Sequence, residues 1–294
     1  MIEIIFQSST DARSFYERLC ERLQSFCQSD KSILHFEDQH IVRVSSDTSG
    51  IILNTVKEVF VQFIVNQKQD DWFKRILMEH YFYEDEGEQQ QILEIIHSIL
   101  EGSREDLAAF VSGLDIKESL KSAIDELFQN NISFSFDSFV KFRMRPLMNE
   151  MAKYVEVSID EYKMEQEYQI FVHTLRDFLS GRQPKANTIH VLMDEGVHFY
   201  DEQFSEIKRG ELLRMIDRKL LSNHPVYVDS VTIAPLLSIA PSSIYLYSYD
   251  FDQPLVRTIR NIFEERLELS SIEAFYNYQN AHSYADDEKC KRYP

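Results

Sequence analysis

Glycine and proline each occur only seven times in 294 residues, where average usage would supply roughly 20 and 15. Tight turns and hairpin corners depend on these two residue types. A chain so short of both is expected to run in long helices with few sharp reversals, which argues against an all-β sandwich or barrel. Material for a core is plentiful, since 44% of the residues are hydrophobic and 21 Phe and 15 Tyr supply bulk. That suffices for one large core or two smaller ones and excludes disorder of the whole chain. The formal charge of −18 is too acidic for a protein that coats nucleic acid without sequence preference.

The first ten residues hold a short apolar stretch around Glu3, with no basic lead and no small-residue cleavage site, so no signal peptide is expected. The best apolar run, Val231 to Ala240, is broken by Pro235 and falls well short of the ~18 residues of a membrane span. Cys20, Cys27 and Cys290 include no C-x-x-C pair, so neither a disulfide framework nor a cysteine zinc site is indicated. Cys20 and Cys27 share a helix face and read as reduced core thiols. The expected compartment is the cytoplasm.

Residues 2 to 6 have strand character, Ser8 to Asp11 form a capping turn, and Phe15, Leu19, Leu23 and Phe26 recur at helical spacing as far as Cys27. Ile33 to Phe36 and Ile41 to Ser45 flank the polar turn Glu37 to His40 as a hairpin. Ile52, Val56, Val59, Phe60 and Phe63 form the next helical stripe. Residues 1–68 therefore read as a βαββα module.

A helical region is expected over 69–184. Its stripes are Trp72, Phe73, Ile76 and Leu77, then Ile92, Ile95, Ile96 and Ile99, then Leu120, Ile124, Leu127 and Phe128. Breaks fall at Glu84 to Glu88, at Gly102 and at Gly113. The acidic run Glu84 to Glu88 reads as a solvated connection, with an interaction loop as the alternative. A longer helix spans Asp137 to Leu179 with a kink at Pro146, and Gly181 and Pro184 end it.

Residues 185–270 read as a mixed α/β module. It comprises a hairpin of Ile189 to Met193 and Val197 to Tyr200, a helix from Phe204 to Leu221, a strand from Ser243 to Tyr249, and an amphipathic helix from Leu255 to Leu267. The stretch from Val226 to Pro241 stays open between a strand followed by a short helix and one kinked helix. Residues 271–294 are polar and without period and read as a flexible tail. There is no internal repeat. The fold class expected is α+β: a small N-terminal module, a long helical middle and a mixed C-terminal module.

Two segments go beyond pattern: FSFDSFVKFRMRPLMNEM, Phe134 to Met151, and SIDEYKMEQEYQIFVHTLRDFL, Ser158 to Leu179. Together with FYDE at Phe199 to Glu202 and LLSIAPSSI at Leu236 to Ile244, they resemble the YtxC-like family of spore-forming Gram-positive bacteria. The resemblance spans most of the chain, with departures near Pro235 and in the polar tail. It implies a role in sporulation and carries over no activity, cofactor or catalytic residue.

In the first signature, Phe136, Phe139 and Phe142 are expected to form one buried stripe, because three large rings three residues apart are too apolar to leave in water. Lys141, Arg143 and Arg145 gather positive charge there. The second signature gathers acids, Asp160, Glu161, Glu165 and Glu167, around Lys163. A fold-back near Pro146 would let Arg143 pair with Glu161, Glu165 or Glu167, since guanidinium suits planar bidentate pairing. A structural network of Phe139, Arg143, Arg145, Glu161, Glu165 and Glu167 is the first reading, and a partner-binding face is the second.

Readings as an enzyme are thinner. A di-metal carboxylate site would need Glu-x-x-His, and Glu165 is followed at that spacing by Tyr168. His190 and His198 flank the hairpin and could face each other, but no third ligand is in sight. Asp201, Glu206 and Lys208 match in kind the carboxylates and lysine of metal-dependent nucleases. Five residues are too few to set Asp201 and Glu206 on adjacent strands, so Asp201 is expected to end a strand and Glu206 to open a helix, with diverging side chains. Tyr245, Tyr247 and Tyr249 could stack bases, but no basic groove accompanies them, and packing under a helix is preferred. Neither a glycine-rich phosphate loop nor a Gly-x-Ser-x-Gly turn occurs.

The sequence thus points to a non-catalytic cytoplasmic protein that works by binding another protein. No cofactor, metal, membrane or nucleic acid is expected to be involved. A metal-dependent phosphodiesterase or nuclease using Asp201, Glu206 and Lys208 is the alternative.

Overall fold

The computed structural model describes residues 1–24, 33–45, 50–111, 115–128, 133–217, 229 and 231–290, with side chains described as far as 281. Phe26, Cys27, Gly113, Leu221 and Val226, which figure in the sequence analysis, lie outside the described residues. The fold is α+β, and the chain divides into two compact units, Met1–Glu165 and Gln166–Pro294.

The first unit begins with β1 (Ile2–Ile5), whose Ile2 and Ile4 point into the core. The Ser8 hydroxyl accepts from the Asp11 N–H and caps α1 (Ser9–Arg22), which buries Ala12, Phe15 and Leu19 on one face. Its Cys20 is a half-buried free thiol. A hairpin of β2 (Leu34–Glu37) and β3 (Ile41–Val44) follows, then α2 (Ile51–Phe63). A π-helical turn, Ile64–Lys68, carries α2 directly into α3 (Gln69–Tyr81), so the chain has no boundary at residue 68.

Next come α4 (Glu86–Leu100), the short α5 (Glu105–Ala108) and α6 (Ile116–Leu127). The acidic run is built into this structure. The Asp85 carboxylate accepts from the Glu88 N–H to cap α4, Glu86 and Glu88 sit in its first turn, where the helix dipole favours negative charge, and Glu88 accepts from the Tyr162 hydroxyl.

A strand absent from the sequence reading, β4 (Ser133–Ser135), then lies parallel to β1, pairing Glu3 with Ser133 and Ile5 with Ser135. It completes a sheet of order β2-β3-β1-β4. The supposed N-terminal module is therefore closed by a segment about 90 residues beyond β3, and three residues are too few to display strand alternation.

The long helix is two helices, α7 (Phe136–Arg143) and α8 (Arg145–Ser180). Pro146 does not kink a continuous helix. It stands in the first turn of α8, where its missing N–H is not needed, and the chain breaks at Met144.

In the second unit the later part of α8 supplies Val172, Leu175 and Leu179 to a core shared with the sheet, which is why these residues belong with it rather than with a helical middle ending at 184. β5 (Thr188–Met193) pairs antiparallel with β6 (Val197–Tyr200) and parallel with β7 (Ser243–Ser248). β7 pairs parallel with β8 (Leu267–Ser270), giving the order β6-β5-β7-β8. Between them lie α9 (Arg209–Met215), α10 (Ile233–Ile239), with Pro235 in its first turn, and α11 (Pro254–Phe263). The expected helix start at Phe204 moves to Arg209, and the expected end at Leu267 falls back to Phe263.

The segment expected as a flexible tail contains a helix, α12 (Ile272–Cys290). α12 closes the second face of this sheet, burying Ile272 and Phe275 against Leu192, Phe204 and Tyr247. Two apolar residues three apart give this helix a footing that the polar composition around them hid.

Candidate functional site

The first signature begins as β4, and the Ser135 hydroxyl accepts from the Ser138 N–H to start α7. Phe136, Phe139 and Val140 then face inward. Phe136 stacks on Phe6 at 5.2 Å between ring centroids, and Phe139 meets Phe60 edge-on at 5.6 Å. Phe142 does not join them: it is 70% exposed. At roughly 100° per residue, a sixth step places it about 120° round the helix from Phe136, outside the buried stripe, and Val140 takes the inward place.

Phe142 instead stands on an open cleft of about 820 Å³ together with Lys141 and Arg145. The opposite side comes from α1, the π turn and α3, which contribute Asp11, Lys68, Trp72 and Arg75. Helical spacing explains the arrangement, because Asp71 and Arg75 are four apart on α3 and Asp137 and Lys141 four apart on α7. Arg145, four residues beyond Lys141 at the start of α8, lines the same opening.

The acids of the cleft are engaged. The half-buried Lys68 ammonium donates to Asp11 at 2.7 Å and lies 3.2 Å from Asp71. Burial by itself lowers the pKa of Lys68, but the hydrogen bonds and attraction of Asp11 and Asp71 outweigh it and hold the group above its ordinary value. The Asp137 carboxylate accepts the Gln7 N–H at 3.1 Å. Arg75, Lys141 and Arg145 have no carboxylate partner among the described residues; Lys141 lies 5.7 Å from the centre of the Phe142 ring. Three cations without a carboxylate partner among the described residues thus stand beside an exposed aromatic ring in a chain of charge −18.

The other residues of the expected network separate. Arg143 turns away from the cleft and pairs with Glu126 of α6 at 2.9 Å, not with Glu161, Glu165 or Glu167, and both partners are largely exposed. Glu161 is taken by Arg104, which donates to it at 2.6 Å and to Asp106 at 2.9 Å. Hydrogen bonds to Asp106 and then Glu161 raise the Arg104 pKa further above its ordinary value. Glu165 and Glu167 are exposed. The second signature therefore ties α8 to the loop before α5. Arg104, in a stretch without period, gave no signal of this, nor did Lys68, whose place depends on the π turn.

In the second unit, Asp201 does not aim at a metal. Its carboxylate accepts from the backbone N–H groups of Gln203 and Ser205, both at 2.9 Å, and so holds its own loop. Five residues do suffice to set Glu206 beside β6, since Glu206 bridges Tyr200 in antiparallel fashion and does not open a helix. Its carboxylate lies 3.3 Å from His198. Lys208 caps the start of α9 with its backbone only. Among the described residues no group of three or more His, Cys, Asp or Glu could hold a metal ion.

His190 and His198 do not face each other. In the hairpin register His190 stands opposite Tyr200, and His198 opposite Leu192. His190 is buried, shares a 3.0 Å hydrogen bond with the Tyr247 hydroxyl and stacks on Phe204 at 4.2 Å. Tyr247 packs against Phe275 of α12, and burial is the first of the causes that push its pKa up to about 12. Tyr249, beyond the strand, is exposed, so the three tyrosines form no common stacking platform.

Among the described residues no helix is long and apolar enough to cross a membrane. The model of the YtxC-like family matches residues 54–268 of the chain. A Bacillus subtilis (strain 168) protein carrying the name Uncharacterized protein YtxC is 33% identical over 285 residues, which cover 94% of this chain and 96% of that protein. No solved structure matches the chain.

Proposed function

This chain belongs to the YtxC-like family, and from that premise we propose that it is a non-catalytic cytoplasmic protein that acts in sporulation by binding a partner protein at the signature cleft of its first unit. The observation that carries this reading is the exposure of Lys141, Phe142 and Arg145 on one opening, with no carboxylate among the described residues engaging the two cations. Covering Phe142 on association would contribute about 1.5–3 kcal/mol, and the cations would orient the partner and speed its encounter.

The phosphodiesterase alternative loses its main support, because the Asp201 carboxylate is already committed to two N–H groups of its own loop. The sporulation role comes from the family resemblance. Its test is the spore yield of a strain carrying Lys141→Glu with Arg145→Glu at normal protein level. A yield reduced toward that of a deletion strain supports the reading; an unchanged yield in a background where deletion lowers it contradicts the reading.

A further inference from the structure

We propose that the occupant of the signature cleft is an acidic peptide segment of the partner, with carboxylates spaced around one large apolar side chain. This rests on the binding function proposed above and names the chemistry the cleft would recognise. Arg75, Lys141 and Arg145 are the cations of this cleft that have no carboxylate partner among the described residues, and two of them are guanidinium groups, whose planar forks fit carboxylates in bidentate fashion. The −18 charge of the chain does not forbid an acidic ligand. At physiological salt the screening length is about 8 Å, so a ligand lying in the cleft responds to its lining and not to distant acids.

The lining also sorts one polyanion from another. Asp11, Asp71 and Asp137 line the same cleft, and a nucleic-acid backbone, with a charge at every phosphate, would have to lie against them. A peptide can place its carboxylates opposite the cations and neutral residues opposite the acids. An opening of about 820 Å³ is far larger than a phosphate ion needs, and Phe142 with Trp72 offers an apolar side chain somewhere to rest.

Trp72 is the only tryptophan of the chain and lines this cleft, which makes it a built-in reporter. The full-length protein is titrated with a twelve-residue peptide of alternating Glu and Ser around one central Leu. The matching Gln peptide, inorganic phosphate and a single-stranded oligonucleotide serve as comparisons. The expected result is a saturable change in Trp72 fluorescence with the Glu peptide only, weakened about tenfold or more by Lys141→Glu with Arg145→Glu and by less than about twofold by Arg143→Glu, whose side chain faces Glu126.

No saturation with the Glu peptide, equal binding of the Gln peptide, or tighter binding of phosphate or the oligonucleotide would overturn the proposal. So would self-association of the free protein that the double charge reversal abolishes, since the occupant would then be a second copy. Spore yield separates the two levels of the argument. A yield lowered by the double variant with no peptide binding leaves the binding function standing and removes the acidic peptide.

Discussion

The Lys68 ammonium reaches the Asp11 carboxylate at 2.7 Å, joining the end of the π turn to the first turn of α1. Neither residue advertises the other in sequence. Their pairing holds one wall of the signature cleft and removes Asp11 and Asp71 from competition for the remaining cations. Because the pair is only partly covered, its loss should fall between the cost of exposed and fully buried ion pairs.

Replacing Lys68 by Met is expected to destabilise the protein by about 1–2 kcal/mol. The folded state holds the Lys68 pKa above its ordinary 10.5, so this contribution is complete below that value and is lost as pH rises through the higher folded pKa. Urea unfolding of both proteins should show a constant gap from pH 6 to 9 that narrows above about pH 10.5.

Two phenylalanines of α7 three residues apart should behave in opposite ways. Phe139→Ala removes a ring packed against Phe60 and is expected to cost about 3–5 kcal/mol. Phe142→Ala should change unfolding free energy by less than about 0.5 kcal/mol. Denaturant titration of the two variants reads this directly, and similar losses in both would contradict the assignment of Phe142 to the surface.

The arginines divide in the same manner. Arg143→Lys should be nearly silent in thermal unfolding, since its partner Glu126 is exposed and such pairs contribute about 0–1 kcal/mol. Arg104→Met leaves the mostly covered Glu161 without its donor and is expected to cost about 1–2 kcal/mol.

Asp201 is predicted to matter for stability. Asp201→Ala hands two exposed backbone N–H groups of its loop over to water and should cost about 0.5–1.5 kcal/mol, while Asp201→Asn, which keeps an accepting oxygen, should retain most of the wild-type value. A neutral Asp201→Ala would show that the loop does not depend on this carboxylate.

Legibility in the sequence followed the length of the pattern. The stripes of Ile52 to Phe63 and Ile92 to Ile99, the hairpin around Asp194 and the strand from Ser243 all appear where periodicity places them. β4, three residues long, is too short to alternate visibly, and β8 follows so directly on α11 and its closing turn that Leu267 reads as part of that helix. Ile272 and Phe275 were hidden by polar neighbours, although three-residue spacing marks a helix face. At the cleft, the positive cluster of the first signature was readable, but its division was not. Lys141 and Arg145, four apart, face one side and Arg143, two from each, the other, as helical spacing requires; grouping the three by sign alone hides it.

The central claim is that the surface around Phe142 is covered by another protein in the cell. It is tested most directly by placing a photo-crosslinking amino acid at position 142 and irradiating sporulating cells. Position 110 is the control, since Phe110 is also exposed in the first unit, at 77%, and does not line the cleft. The account predicts a discrete heterologous adduct at position 142 that is missing at position 110 and is lost when Lys141→Glu and Arg145→Glu are added. No adduct at 142, or the same adducts at both positions, would contradict it.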